Sequence, residues 1–167
     1  MEKELRKITQ EKLDEIISKH ILWLNSHGAE GEQACLSYMD LTGVNLENAD
    51  LYMANLIGTN LQGANLENKD LRAVDFTWAD LSNANMSGAN LSYANLCGAN
   101  MDSVDLVFAK LEHANLRSAK LVCARLKGAN LTNANLKLAD LTGVNLTNVK
   151  NLPDISMVCP ETGLIIC

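Results

Sequence analysis

Aromatic residues are scarce in this sequence, which excludes an interior built from large rings. Phe, Tyr and Trp together make up 4% of the 167 residues, whereas hydrophobic residues as a whole make up 47%. The interior must therefore be filled by aliphatic side chains. Leu and Ala supply them, and the two residues recur in a fixed order along most of the chain.

We expect neither a membrane segment nor a signal peptide in this chain. The sequence begins with the charged stretch Met1–Glu4, and no apolar run approaches the roughly 20 residues that span a bilayer. The five cysteines are odd in number and show no Cys-X-X-Cys spacing, which favours reduced thiols. We therefore expect a cytoplasmic protein that does not enter a membrane.

The spacing of polar residues reveals no catalytic or metal-binding arrangement. We find no Ser-His-Asp or Cys-His pairing, no Gly-rich phosphate loop and no paired carboxylates in a predicted cleft. His20 and His27 lie two helical turns apart and would need a third ligand to share a metal, so we interpret them as surface or cap residues. His113 is interpreted as a solvated side chain. We expect no enzyme activity, no cofactor and no metal.

The dominant pattern is a large apolar residue at every fifth position from Leu36 to Leu146. It gives 23 centres, of which 20 are Leu. Two residues before the centre stands Ala in 16 repeats and Val in four, and directly before it stands Asn in 12 and Asp in seven. An α-helix would rotate successive centres by about 500°, and a straight strand would alternate them between faces. The chain must therefore turn a corner once per repeat, with Ala and Leu inside.

The tandem A(N/D)LXX motif, as in residues 89–93 and 129–133, resembles the pentapeptide-repeat family. The resemblance covers roughly two thirds of the chain, residues 34–150. It implies an all-β solenoid, a right-handed quadrilateral β-helix in which four pentapeptides make one square coil. The 23 repeats would then form between five and six coils, a rod about 28 Å long at a strand spacing of about 4.8 Å.

Residues 1–33 do not follow the repeat and are predicted to form an N-terminal helical cap. Apolar residues at helical spacing predict an amphipathic helix from Gln10 to Asn25, with Thr9 as N-cap and a short turn over residues 5–8. A helix at this end would cover the unpaired edge of the first coil. The alternative is a helix that binds a partner.

Beyond Val149 the five-residue phase is lost, and residues 151–167 are predicted to form a short C-terminal hairpin. The hairpin either closes the last coil or begins a further segment. Its apolar side chains and uncharged edge predict a homodimer through this end. The residues that would form the dimer contact are Ile155, Met157, Leu164 and Ile165.

Within the repeats, Lys69 occupies a position that elsewhere holds a small interior residue. A buried, unpaired ammonium group is costly. We therefore expect either a local bulge or a lysine tail that bends outward to water.

Two groups of apolar residues at outward positions form a hypothetical partner surface. Four-fold coiling would place Trp78 two coils above Tyr38, and the groups fall on two adjoining sides. The first contains Tyr38, Ile57 and Trp78, and the second contains Tyr52, Met53 and Tyr93. The alternative interpretation is scattered surface residues without a function.

Charge is unevenly distributed along the predicted rod. Residues 36–100 contain seven acidic and two basic residues, net −5, whereas residues 101–150 contain seven basic and four acidic residues, net +3. We expect a non-enzymatic scaffold for a protein partner, with no direct nucleic-acid binding. The family resemblance implies an alternative, a DNA mimic that binds DNA gyrase, but mimicry needs a continuous negative surface and the second half is basic.

Overall fold

The computed structural model describes residues 5–153 of the chain. The regular elements are strand β1 (Arg6–Lys7), helix α1 (Gln10–Asn25) and strand β2 (Met39–Asp40). β1 pairs with β2 in parallel, Arg6 opposite Met39 and Lys7 opposite Asp40. The turn expected over residues 5–8 is therefore wrong, because this segment adds a short strand to the edge of the first coil.

The body of the molecule is a solenoid with a 20-residue coil. Isolated parallel bridges join residues 20 positions apart, from Cys35 with Asn55 to Asn130 with Lys150. Since each repeat has five residues, one coil has four sides. This confirms the predicted quadrilateral β-helix, in which each coil pairs with the next along the rod.

The burial of each repeat follows the predicted alternation. Leu91 and Ala89 are both 0% exposed, while Asn90 between them faces outward. The Asn90 carboxamide oxygen accepts a hydrogen bond from the backbone N–H of Ser92 at 3.2 Å, which is the geometry of an Asx turn. The corner is completed by a residue in the left-handed region, such as Tyr93 at φ 63°. Asn and Asp before the centre thus stabilise the corner that follows it.

Helix α1 lies across the first coil and has the predicted bounds. The Thr9 side chain accepts a hydrogen bond from the backbone N–H of Lys12 at 3.3 Å, so Thr9 is the N-cap. Leu13, Ile17 and His20 are the buried residues of the helix. Their spacing of four and three residues places them on one face, which covers the interior of the solenoid.

Hydrogen bonds fix the helix to the first coil at both ends. The Gln10 side chain donates to the Asn45 carbonyl at 3.1 Å and accepts from the Asn45 N–H at 2.8 Å. His20 accepts from the Ala34 N–H through Nδ1 at 3.1 Å, and its Nε2 lies 2.8 Å from the Tyr52 carbonyl oxygen. His20 is therefore a fully buried cap residue and not a surface residue.

The first and second coils separate along two sides, and Lys69 lies in the gap. Among residues 5–153, the 20-residue register lacks bridges between Asn45 and Asn65 and between Asp50 and Asp70. Among residues 5–153, the residue at every other corner of the repeats adopts a positive φ, but Asn48 does not. The turn at Asn48 therefore differs from the others. The Lys69 ammonium donates to the carbonyls of Glu47 and, at 3.1 Å, Ala49.

For Lys69 the sequence predicts either a local bulge or a tail that bends outward to water. The lysine tail points back to the preceding coil, not outward, and its ammonium group donates to two backbone carbonyls of that coil. Burial lowers the pKa of Lys69, and the nearby carboxylates of Asp50 and Glu47 oppose that shift. The ammonium group therefore joins the two coils where the backbone does not.

Replacing Lys69 with methionine is expected to weaken the junction between the first two coils. The variant keeps the aliphatic stem but leaves the Glu47 and Ala49 carbonyls without this donor, so we expect a loss of about 1–2 kcal/mol in the free energy of unfolding. Urea denaturation measures it. Lys110→Met is the control, because Lys110 is exposed. A Lys69→Met variant as stable as the parent would show that the coils join without the ammonium group.

The predicted C-terminal hairpin and dimer contact lie outside the described residues, apart from the exit segment up to Pro153. The core closes at its described upper end with Leu141, Val144 and Leu146, all buried. Val149 and Leu152 are partly buried against it.

Candidate functional site: an uncharged side between aromatic edges

One side of the solenoid combines low charge with exposed aromatic residues at its borders. We name it the amide side; it consists of residues 34–37 and the segments that follow at 20-residue intervals, ending with 134–137. The corner after it is the Trp78 edge, positions 38, 58, 78, 98, 118 and 138. The corner before it is the Tyr93 edge, positions 53, 73, 93, 113 and 133.

The Trp78 edge carries aromatic rings that lean over glycines of the next coil. Trp78 is 66% exposed, and a Cβ atom added to Gly98 would lie 2.6 Å from its Cδ1 atom. Tyr38 has the same relation to Gly58, also at 2.6 Å, and is 38% exposed. Each glycine therefore provides the space for the ring below it. Leu138 ends the edge and is also exposed.

The Tyr93 edge contains a stacked pair of rings from consecutive coils. The Tyr93 and His113 rings are 4.8 Å apart and inclined by 2°, and Tyr93 is 64% exposed. Met53 lies two coils below Tyr93 on the same edge and is half-buried. His113, which we interpreted as a solvated residue, is exposed but also supports a neighbouring aromatic ring.

Tyr52 lies on the side beyond the Tyr93 edge and has a local partner. The Arg72 guanidinium lies 5.0 Å from the centre of the Tyr52 ring and is paired with the Asp70 carboxylate at 2.6 Å. Hydrogen bonding from Arg72 lowers the pKa of Asp70. Tyr52 therefore belongs to a cation–π contact and not to the amide side.

Side-chain hydrogen bonds between coils hold the amide side in place. Asn115 donates to the Asn95 carboxamide oxygen at 2.9 Å, and Asn135 donates to that of Asn115 at 3.2 Å. Asn95 in turn donates to the Thr77 hydroxyl at 2.7 Å. Ile57 adds a half-buried apolar group to the same side. The first four segments of the amide side contain one charged residue, Asp75. The last two segments each contain one basic residue, Arg117 and Lys137.

Phe108 is a further exposed aromatic residue, and neither predicted group of outward apolar residues contains it. It is 62% exposed and lies on a third corner, the Phe108 edge, positions 48, 68, 88, 108, 128 and 148. A Cβ atom at Gly128 would be 2.4 Å from its Cδ1 atom, so it leans over a glycine as Trp78 does. The available signal was a glycine 20 residues after an outward aromatic residue.

Across residues 5–153, no group of three or more His, Cys, Asp and Glu residues could hold a metal ion. Within the same range, every buried side-chain nitrogen or oxygen has a hydrogen-bond partner. No helix in this part of the chain is long and apolar enough to cross a membrane.

Replacing Gly98 with alanine is expected to displace the Trp78 ring. Gly98 and Gly63 have nearly the same φ, 67° and 66°, so alanine at either position costs about 1–2 kcal/mol in backbone strain. A Cβ at Gly63 meets nothing within 4 Å, and Gly63→Ala is therefore the matched control. In a Trp23→Phe background, we expect greater acrylamide quenching of Trp78 fluorescence in Gly98→Ala only. Equal quenching in both variants would show that the ring does not rest on Gly98.

The coil register, the buried centres and the square corners define a right-handed quadrilateral β-helix, a solenoid repeat protein. The sequence model for pentapeptide repeats matches residues 32–63, 49–88, 79–117 and 109–148. The chain therefore belongs to the pentapeptide repeat family.

Solved structures of the same family resemble this chain. A pentapeptide repeat protein from the Arabidopsis thaliana thylakoid lumen is 28% identical, with a TM-score of 0.58; the match covers 59% of this chain and 69% of that one. Rfr23 from the cyanobacterium Cyanothece 51142 is 29% identical, with a TM-score of 0.45 and coverage of 71% and 84%. QnrB1, a plasmid-mediated fluoroquinolone resistance protein, is 16% identical with a TM-score of 0.37 and coverage of 95% and 88%, which concerns the repeat fold alone. A comparison with curated proteins gave no match.

Proposed function

We propose that this protein is a non-enzymatic scaffold that binds another protein through the amide side. The observation that carries the proposal is the position of Trp78 and Tyr93, two rings 66% and 64% exposed, on the two borders of a side with little charge. Trp and Tyr are enriched among residues that dominate binding energy, and charged residues are depleted from interface centres.

The rigidity of this surface supports the same proposal. The Trp78 ring rests over Gly98, the Tyr93 ring stacks on His113, and hydrogen bonds between coils hold the Asn side chains. A partner would therefore immobilise few side chains on binding, which reduces the entropic cost of association. The solenoid contributes stiffness, because every coil pairs with its neighbours.

The distribution of charge weighs against the alternative of a gyrase-binding DNA mimic. Asp50 and Asp70 lie on one side of the lower half and Asp80 lies on another, so they do not form one line. The Arg72 guanidinium also offsets the charge of Asp70. The upper half is net positive, whereas a duplex presents negative phosphates along its whole length.

Affinity capture with matched variants tests the scaffold proposal. The parent protein, Trp78→Ser, Tyr93→Ser and Phe108→Ser would each be immobilised and exposed to extract from the source organism, with captured proteins quantified by mass spectrometry. We expect a protein whose capture falls at least about tenfold with Trp78→Ser and Tyr93→Ser, in line with hot-spot losses. Phe108→Ser removes an equally exposed ring from another corner and should leave that capture unchanged.

Unfolding of each variant in urea controls for loss of structure. A partner lost equally with all three serine variants would show general adhesion to exposed rings. A partner lost with Phe108→Ser alone would place the interface on the Phe108 edge. Either result would contradict the proposed use of the amide side.

A further inference from the structure

A different side of the solenoid is complementary in charge to a second copy of itself. We name it the charged side; it consists of residues 44–47 and the segments that follow at 20-residue intervals, ending with 144–147. Its lower half carries Glu47 and Glu67, and its upper half carries Asp105, Arg125 and Lys127. The two middle coils present Ser87 and Val107 at the corresponding positions.

Some charged residues of this side already form ion pairs within the chain, and others do not. Arg125 donates to the Asp105 carboxylate of the preceding coil at 2.7 Å. Among residues 5–153, Glu67 and Lys127 take part in no ion pair, and both are exposed. Glu67 only accepts a hydrogen bond from the Asn85 amide at 3.1 Å. Both charges are therefore available to a partner.

The upper half of the charged side is also concave. A groove of about 590 Å³ runs between the corners of Cys123 and Phe108. Arg125 and Lys127 line it together with Phe108, Val107 and Asn145. The groove thus combines positive charge with an apolar wall, and it suits an acidic surface.

We propose that two copies of this chain pair side by side and antiparallel through the charged side. A two-fold axis that passes between Ser87 and Val107, perpendicular to the rod, relates the two copies. Glu67 lies one coil below Ser87 and Lys127 one coil above Val107, because the register is 20 residues. The axis therefore places each Glu67 opposite Lys127 of the second copy. Such an isologous interface makes the same pair twice.

Two of the other sides do not have this property. The side that contains Asp40, Asp80, Asp102 and Asp140 holds Lys120 as its base, so antiparallel copies would place acids opposite acids. The amide side has its bases, Arg117 and Lys137, at one end, where they would meet uncharged residues of a second copy. Pairing through the charged side leaves the amide side open, so this inference does not depend on the proposed function.

The expected dimer is weak and sensitive to salt. The charged side spans five coil spacings from Asn45 to Asn145, about 24 Å, and so narrow a surface buries less than the roughly 800 Å² per partner of a standard interface. Its exposed ion pairs are screened beyond about 10 Å at 0.1 M salt. We expect dimerisation at high protein concentration in dilute buffer and a monomer at about 1 M salt, where the screening length falls to about 3 Å.

Charge reversal with sedimentation velocity tests the pairing. Glu67→Lys and Lys127→Glu should each weaken self-association by about tenfold, because each places like charges opposite each other twice. An equimolar mixture of the two variants should associate again, since the first then presents two lysines to two glutamates. Lys120→Glu makes the same charge change on another side and should behave as the parent. Recovery in the mixture also shows that neither variant is misfolded.

Three outcomes would overturn the proposal. A parent protein that stays monomeric at high concentration in dilute buffer has no such interface. A mixture that fails to associate shows that Glu67 and Lys127 do not meet. A dimer that ignores every charge change but is lost with Ile165→Lys is held together at the C-terminal end instead.

Discussion

Replacing Leu91 with alanine is expected to lower the free energy of unfolding by about 2–5 kcal/mol. Leu91 is 0% exposed and lies in the middle of the solenoid, with coils above and below it. The coils are joined by backbone hydrogen bonds, such as that from the Leu91 N–H to the Lys110 carbonyl at 2.7 Å. They cannot close around the cavity without breaking that pairing, so we expect a cost in the upper part of the range.

The two neighbours of Leu91 are the matched controls for this substitution. Asn90→Ala removes the acceptor for both the Ser92 N–H and the Ser92 hydroxyl and should cost about 1–2 kcal/mol, since one hydrogen bond usually contributes about 1 kcal/mol. Ser92→Ala removes contacts from its hydroxyl group to Asn90 and Glu112, on a half-buried side chain, and should cost less. Urea denaturation of the three variants measures the differences. Equal midpoints would contradict the inward position of the leucine.

Replacing His20 with alanine is expected to cost roughly 3–5 kcal/mol and to loosen helix α1 from the first coil. His20 is 0% exposed, and its two ring nitrogens contact the Ala34 N–H and the Tyr52 carbonyl. The substitution would leave both backbone groups without these partners and would create a cavity beneath the helix. Its stacking contact with Trp23, at 5.7 Å between ring centres, would also be lost.

His27→Ala is the control for His20, because His27 lies just beyond the same helix and is exposed. We expect its effect to stay below about 1 kcal/mol. Denaturation followed by circular dichroism gives the stability, and sedimentation velocity shows whether the first coil then associates with other copies. Similar losses for the two variants would mean that His20 does not connect the helix to the coil.

The order of the residues determines the fold of the repeat region, because the five-residue pattern is compatible only with a chain that turns a corner in every repeat. A centre at every fifth residue fits neither a helix nor a straight strand, and the small residue two positions earlier identifies the second interior position. The structure buries both, as Ala89 and Leu91 show. Helix α1 was predictable for the same kind of reason, since Thr9 and the apolar spacing set its bounds. The spacing of Leu13, Ile17 and His20 also contained the signal that His20 is buried.

The contacts between coils could be identified only from the tertiary structure. Once the coil length of 20 residues is known, some of them can also be recognised in the sequence. A ring that leans over a glycine 20 residues later, as Phe108 does over Gly128, requires knowing that these two residues are neighbours. The same holds for the stack of Tyr93 on His113. Composition alone does not distinguish these rings from scattered surface residues, because their orientation depends on the next coil.

The period, the interior positions and the helical cap follow from the order of the amino acids, because each depends on local spacing and on the burial of apolar groups. The tertiary structure decided where the coils separate. Lys69 looked like a defect in one repeat, but its ammonium group contacts the Glu47 and Ala49 carbonyls of the preceding coil. The turn at Asn48, 21 residues earlier, also departs from the other corners, since Asn48 does not adopt a positive φ. A position whose environment is set by a turn in another coil has no local signal in the chain, since the two meet only when the solenoid closes.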